Sequence, residues 1–365
     1  MIAISGFFAD PTGYGEHARR AILALQAAGA DVCVGHSLSD GGTPISSQSS
    51  IVARQTGLSE FLKDQKRPFD EHLVVAAACD FPVLVKAKGR QVGWTAWETD
   101  RLFPSCLSGA STVERLIVPS DQNHAVWLDA GIDTAIIHLP TVDVPIEADA
   151  GLLDVKPSTF IFYSMLTWQE RKNPKGLLVS YLTAFTGYDD VLLILKVGGG
   201  AESQAKAERD LAELLVALNI PNPPHVRVIS DRGWSEIQMW SLHLRGDCFV
   251  TMTRGEGFGL PVLDAMTAGS RIISSGWGGH TDMLVGPIPG ASPYGITIVP
   301  TRLTPVVQPY AYFTGHQSWG DPDLIAARVA MQRVVEEPRG KIGYDLSDYD
   351  PKRIGSALEA VIHGD

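Results

Sequence analysis

Closely paired cysteines, a surplus of basic residues and long apolar runs are all missing from this chain, and each absence removes a class of protein. Its four cysteines, Cys33, Cys79, Cys106 and Cys248, are widely spaced. They form neither a zinc-type pairing nor the framework of a small disulfide-stapled domain, and read as buried or incidental thiols. The 30 Lys and Arg against 41 Asp and Glu leave a net charge of -11. That balance disfavours a general polyanion-binding surface, because neutralising phosphates takes clustered cations. One local exception is Lys63, Lys66 and Arg67 followed by Lys86, Lys88 and Arg90, a cluster suited to an anionic acceptor or lipid headgroups, or simply to a solvated face. No apolar run has the length of a bilayer span, and Met1-Ile2-Ala3-Ile4-Ser5-Gly6 lacks the basic and apolar regions of a signal peptide. The expectation is a soluble, cytoplasmic protein with no stable membrane insertion.

What the chain does have is length and rhythm. Its 365 residues suffice for two globular domains, each with its own core. The apolar run 2–4 leads through a loop at 6–15 into an alanine-rich helical pattern at 17–28 that stops at Gly29. Short β-rich runs at 32–34, 73–76, 91–94 and 115–118 follow, the pattern of buried parallel strands. Pro140, Pro145 and Pro157 interrupt that rhythm, which places an interdomain linker at 140–157. Strands at 159–163, 191–197, 226–229, 248–252 and 271–274 then alternate with helices at 177–185, 205–218, 235–244 and 260–268. Such alternation implies α/β architecture with doubly wound parallel sheets, whose ligands collect at the carboxyl ends of the strands. The expected division is 1–150, 151–340, and a helix within 341–365 that packs back on the first domain. The stretch 287–320, rich in Pro, Gly and aromatics, resists assignment and reads as an elaborated loop.

The sharpest local signal is Thr253-Arg254-Gly255-Glu256-Gly257-Phe258-Gly259-Leu260-Pro261-Val262-Leu263-Asp264, a strand passing through a glycine loop into a helix. Proline fits the first helical turn, where an N–H is dispensable, and the glycines let backbone approach a ligand. The helix start offers N–H groups and a positive dipole end to a diphosphate. Glu256 at the lip and Asp264 farther inside can each accept hydrogen bonds from a hydroxyl pair, one on a sugar and one on a ribose. The competing reading makes Glu256 a helix cap and Asp264 a solvated helical residue.

This segment resembles the carboxylate-x7-carboxylate signature of glycosyltransferase family 4, the group 1 glycosyl transferases. Other segments resemble that family in order: Gly13-Tyr14-Gly15-Glu16-His17-Ala18-Arg19, Trp97-Glu98-Thr99 with Val118-Pro119-Ser120, Arg171-Lys172-Asn173, Gly276-Trp277-Gly278-Gly279-His280-Thr281-Asp282, and Trp319-Gly320-Asp321-Pro322-Asp323. The resemblance implies a GT-B fold, two Rossmann-like doubly wound domains facing a central cleft, with acceptor bound by the first and a UDP- or GDP-sugar by the second. It implies retaining transfer to an acceptor hydroxyl without a metal or other cofactor. Lys172 would contact the donor diphosphate, Glu256 the transferred sugar and Asp264 the ribose. Gly13 and Gly15 from one side, and Gly257, Phe258, Gly259, Leu260 and Gly279 from the other, would line the nucleotide-sugar site.

Two features depart from the family pattern. Asp264 is one methylene shorter than the usual Glu, and the arginine expected five or six residues before Lys172 is replaced by Leu166-Thr167-Trp168, leaving Arg171 as its substitute or as a surface residue. His17 and His280 can donate to phosphate or sugar hydroxyls, or serve local hydrogen bonds. Glu98 can orient an acceptor hydroxyl or support Trp97. Competing functions are a nucleotide-sugar epimerase or hydrolase of the same fold, and a non-catalytic nucleotide-sugar-binding protein. The acceptor is open among glycan, lipid carrier and small molecule, with a modified nucleic-acid base disfavoured. A metal-dependent transferase would need Asp-x-Asp after an early nucleotide-binding region, whereas Asp321-Pro322-Asp323 and Asp348-Tyr349-Asp350 come late and read as loop and helix-start residues.

Overall fold

The structure, a computed structural model, describes residues 1–38, 51–63, 67–85, 89–149, 151, 153–230, 234–285, 295–307 and 313–364. The first sheet comprises β1 (Ile2–Gly6), β2 (Val32–Ser37), β3 (Glu71–Val75), β4 (Arg90–Trp94), β5 (Arg115–Val118) and β6 (Ala135–Ile136), in the order β2-β1-β3-β4-β5-β6. Its strands pair in parallel throughout. The connections carry α1 (Gly13–Ala28), α2 (Ile51–Gln55), α3 (Leu58–Phe61), α4 (Phe81–Leu84), α5 (Pro104–Ala110) and α6 (Asp121–Asp129).

A second parallel sheet holds β7 (Phe160–Thr167), β8 (Val191–Gly198), β9 (His225–Ser230), β10 (Cys248–Thr251), β11 (Arg271–Ser275) and β12 (Ile296–Val299), in the order β12-β11-β10-β7-β8-β9. Between and after them lie α7 (Pro174–Ala184), α8 (Gly200–Ala217), α9 (Glu236–Arg245), α10 (Leu260–Thr267), α11 (Asp282–Val285) and α12 (Leu324–Val334). The doubly wound α/β class expected from the sequence is the one observed. The sheet centres are apolar runs buried on both faces: Phe160, Ile161, Phe162 and Tyr163 of β7 and Leu193, Ile194 and Leu195 of β8 are at most 5 % exposed.

Each sheet reverses its winding at one point. In the second sheet β7 leads to β8 and β9 on one side, while β10 leads to β11 and β12 on the other, so β7 and β10 flank the switch. In open sheets of this kind the carboxyl ends of the strands at such a switch are where ligands bind.

The stretch 287–320, read from sequence as an elaborated loop, instead holds β12 and most of an antiparallel hairpin, β13 (Thr301–Pro305) with β14 (Ser318–Pro322); its residues 287–294 and 308–312 lie outside the described set. The final helix, α13 (Pro351–His363), packs on α1 of the first sheet, so closely that a Cβ on Gly355 would sit 1.9 Å from the Ala24 carbonyl oxygen. Asp323 and Asp350 cap α12 and α13 through their carboxylates. No helix among the described residues is long and apolar enough to cross a membrane.

Candidate active site

Two loops meet at the switch point of the second sheet. The one after β7 makes a 3-10 turn, Glu170–Lys172, and ends at Asn173 in the left-handed region (φ 49), whose side chain caps α7 by accepting from Gly176 N. The one after β10 is tied to it by a hydrogen bond from Arg254 N to Arg171 O at 2.7 Å. The result is a chain of alternating charge. Lys172 Nζ lies 2.5 Å from Glu256 Oε1, Arg171 Nη2 lies 2.9 Å from Glu98 Oε1, and Arg171 Nη1 is 3.8 Å from Glu256 Oε2. Glu98 comes from the loop after β4, so the chain of charges spans the two sheets.

Their environments set their charge states. Burial lowers the Lys172 pKa and the Arg171 guanidinium lowers it further, while Glu256 and Glu98 pull it back up; the sum lies below the ordinary lysine value. Burial pushes Glu256 up, yet Lys172 and Arg171 outweigh it and hold the carboxyl below its usual range. Glu256 is therefore anionic near neutrality, facing a cation that its burial has made easier to share with an anionic ligand.

The glycine loop is shaped by what passes close to it. A Cβ on Gly255 would lie 2.0 Å from the Glu98 carbonyl oxygen, one on Gly257 2.6 Å from the Ala96 Cβ, and one on Gly279 2.0 Å from the Gly257 carbonyl oxygen. Gly257 O also accepts from Ser120 Oγ and Asn123 Nδ2, both at 3.1 Å. Gly259 (φ 92) starts α10, with Leu260 and Pro261 in its first turn.

Three of the groups expected to line the nucleotide-sugar site are engaged within the protein. The Gly279 N–H, expected to face phosphate, donates to Glu256 O at 2.7 Å. The Gly15 N–H donates to Thr12 Oγ1 at 3.1 Å as a helix cap, and a Cβ there would strike Asp10 O at 2.1 Å. Phe258 packs inward beside His138 and Tyr349, with centroids 6.1 and 6.2 Å away. Gly13 has open space where a Cβ would be, so packing does not dictate a glycine there.

Asp264 is also engaged. Arg20, on α1 and 2 % exposed, places Nη2 2.7 and 2.9 Å from the two carboxylate oxygens of Asp264, Nε 2.9 Å from Glu16 Oε1 and Nη1 3.0 Å from Pro140 O. The carboxylate expected to hold ribose thus makes a buried tie between α1 and α10. Burial disfavours the Arg20 cation, but Asp264 and Glu16 more than compensate and raise its pKa.

Around this centre the first sheet is braced by residues whose motifs were legible but whose tasks were not. Tyr14 Oη donates to Ala96 O at 2.9 Å and accepts from Ala96 N at 3.2 Å, fixing the loop that carries Glu98. Trp97 Nε1 donates to Thr99 Oγ1 and Arg101 O, so Thr99 and not Glu98 supports the indole. The hairpin reaches the same loop, with Asp100 N donating to Ser318 O at 3.0 Å. Arg254 pairs with Glu170 and, at 3.0 Å, with Asp321, and lies over the Trp319 ring. Two residues that hold the site's elements, Arg20 on Asp264 and Asn123 on Gly257 O, were missed altogether; for Arg20 the i,i+4 spacing from Glu16 was the available signal.

Of the basic cluster, Lys63 pairs with Glu60 and Arg67 with Asp31 in exposed ion pairs, which are weak contributors. Lys66, Lys86 and Lys88 lie outside the described residues.

His17 lies buried between Tyr14 and Trp94, with ring centroids 6.2 and 4.4 Å away, and its Nε2 has no hydrogen-bond partner among the described residues. Burial holds its pKa at about 3 instead of 6.5. A depressed histidine pKa means the unfolded chain binds more protons between those values, so this stability is complete above pH 6.5 and is lost as pH falls toward 3. Urea unfolding of His17→Leu should accordingly show a smaller loss of stability between pH 6.5 and about pH 5 than the unaltered protein.

No protein-family model matches the sequence, and no curated protein sequence matches it. Solved structures do. The chain is similar to a sucrose-phosphate synthase from Thermosynechococcus elongatus, with a TM-score of 0.63 and 16% identity over 99% of this chain and 94% of that one. It is similar to WaaG, a glycosyltransferase involved in lipopolysaccharide biosynthesis, with a TM-score of 0.59 and 13% identity over 100% of each chain. A UDP-forming trehalose-phosphate synthase from Burkholderia xenovorans, in complex with glucose-6-phosphate, gives a TM-score of 0.65 and 10% identity over 99% of each chain. The fold they share with this chain, two parallel Rossmann-like sheets in one α/β arrangement, is GT-B.

Proposed function

We propose that the protein is a retaining glycosyltransferase that moves a sugar from a nucleoside-diphosphate sugar, with UDP- and GDP-sugars the candidate donors, to an acceptor hydroxyl. The observation that carries this reading is the Lys172–Glu256 pair at the switch point, beside the start of α10 and joined through Arg171 to Glu98 on the opposite sheet. Residues 1–150 bind the acceptor, a glycan, lipid carrier or small molecule, and residues 151–340 bind the donor.

Each residue then has a chemical task. As the sugar–phosphate bond breaks, negative charge grows on the diphosphate, and Lys172 turns from Glu256 toward it; the start of α10 adds its dipole. This supplies the electrostatic stabilisation that a metal gives elsewhere. Glu256, released from Lys172, accepts hydrogen bonds from hydroxyls of the transferred sugar. The acceptor oxygen attacks the anomeric carbon on the face the phosphate leaves, and the departing phosphate oxygen takes the acceptor proton, so the configuration is retained. Arg171 stays fixed by Gly255 O at 2.6 Å and by Glu98, acting as a positioning residue. Closure of the two domains over the bound donor would exclude water and limit its hydrolysis.

The test is nucleoside-diphosphate release from UDP- and GDP-sugars in the presence of chelator, with and without a mixed panel of hydroxyl acceptors. Release that depends on acceptor is the expected result. Release from donor alone would favour a hydrolase, conversion of the sugar without release an epimerase, and binding without turnover a nucleotide-sugar-binding protein.

A further inference from the structure

His280 presents a buried polar atom with no hydrogen-bond partner among the described residues. Its ring is fully buried in the turn Gly279–Thr281, and Nε2 lies 2.9 Å from the carbonyl oxygen of Ser275. A carbonyl oxygen only accepts, so Nε2 carries the proton. The other ring nitrogen, Nδ1, is buried and has no hydrogen-bond partner among the described residues, a state that few buried polar groups of native structures share.

The position of Nδ1 follows from its glycine neighbours. A Cβ on Gly278 (φ 119) would lie 3.2 Å from Nδ1, 3.0 Å from Glu256 N and 3.3 Å from Glu256 O, so the bare face of Gly278 opens on both residues. A Cβ on Gly259 would lie 2.6 Å from the His280 Cβ, which seats the imidazole under the first residue before α10. Burial, with a smaller contribution from Lys172, keeps the ring below its ordinary pKa although Glu256 and Ser275 pull the other way. The ring is neutral, and Nδ1 offers a lone pair.

A lone pair cannot bind phosphate, whose oxygens are themselves acceptors near neutral pH. Of the two sequence readings of His280, a donor to phosphate or sugar hydroxyls and a local hydrogen-bonding residue, the structure shows the local bond at Nε2; at Nδ1 a hydroxyl is the complementary group. We infer that His280 Nδ1 accepts a hydrogen bond from one hydroxyl of the transferred sugar, next to those held by Glu256, and so selects nucleotide sugars bearing that hydroxyl over their deoxy counterparts. The inference rests on the reading of Glu256 as the sugar contact.

Calorimetric titration tests it with three probes: the nucleoside diphosphate, its hexose conjugate, and a series of monodeoxy versions of that conjugate. For His280→Phe, which keeps a ring and removes both nitrogens, diphosphate affinity should be unchanged and affinity for the parent conjugate should fall about tenfold or more. One deoxy conjugate should be weakened by the same factor in the unaltered protein and should bind both proteins equally, the signature of a direct pair. Should the phenyl ring disturb packing under Gly259, His280→Asn, which keeps a short acceptor, carries the comparison and should retain the hydroxyl preference. Normal diphosphate binding with no variant-specific dependence on any one hydroxyl would overturn this inference alone. Failure of the unaltered protein to bind any nucleoside diphosphate would overturn the donor-site reading, and this inference with it.

Discussion

Lys172→Ala is expected to lower turnover by about 10²–10³-fold, the usual effect of removing one preorganised group from a developing oxyanion. Lys172 and Glu256 have side chains 17% and 13% exposed, so neither charge is compensated by bulk water, and the cation's full field falls on whatever anion replaces Glu256. With the ammonium gone, two things follow. The diphosphate loses its closest positive side chain, so donor affinity and turnover fall together. Glu256 loses the stronger of the two cations that hold its pKa down, leaving Arg171 against burial, so its pKa rises. The double variant Lys172→Ala/Glu256→Gln separates these effects: it should regain thermal stability relative to Lys172→Ala while remaining inactive. A Lys172→Ala protein with undiminished turnover would remove Lys172 from the mechanism.

Arg20→Met should destabilise the protein by about 3–5 kcal/mol, read from urea unfolding, because removing one member of a buried ion pair strands the others. Arg20 is 2 % exposed and spends its donors on Asp264, Glu16 and Pro140 O. Its loss leaves Asp264 without its cation and frees the contact between α1 and α10. Adding Asp264→Leu should recover a large part of the loss, since an apolar pair of similar volume avoids the uncompensated charge. Destabilisation below about 1 kcal/mol would mean that the pair behaves as an exposed one. The tie also bears on the donor site, because ribose hydroxyls approaching Asp264 meet a carboxylate already bonded on both oxygens.

The legible and illegible parts of this molecule differ for physical reasons. Parallel strands buried on both faces are continuous apolar runs, so strands at 159–163 and 191–197 are legible in the sequence, and the structure extends them over 160–167 and 191–198. β6 has only two residues, and β13 is mostly exposed with no apolar alternation, so neither carried a periodic signal. In the site, Lys172 and Glu256 were legible because each sits in a local motif at a strand end. The glycines were recognised but their tasks were partly misread: a ligand and another backbone exclude a Cβ equally well, and Gly255, Gly257 and Gly279 have backbone or a Cβ of the protein there. Arg20 meets Asp264 across 244 residues, a pairing that only the arrangement of the two sheets defines.

The central claim is that the Lys172–Glu256 pair is the diphosphate and sugar end of a nucleotide-sugar site. Calorimetric titration with UDP, GDP and their hexose conjugates in the presence of chelator addresses it most directly, run on the unaltered protein and on Lys172→Ala. The account predicts that one nucleoside diphosphate binds with a clear preference over the other, and that Lys172→Ala weakens it about tenfold or more through loss of a charge-assisted contact. Binding of neither diphosphate, or binding indifferent to Lys172, would contradict it.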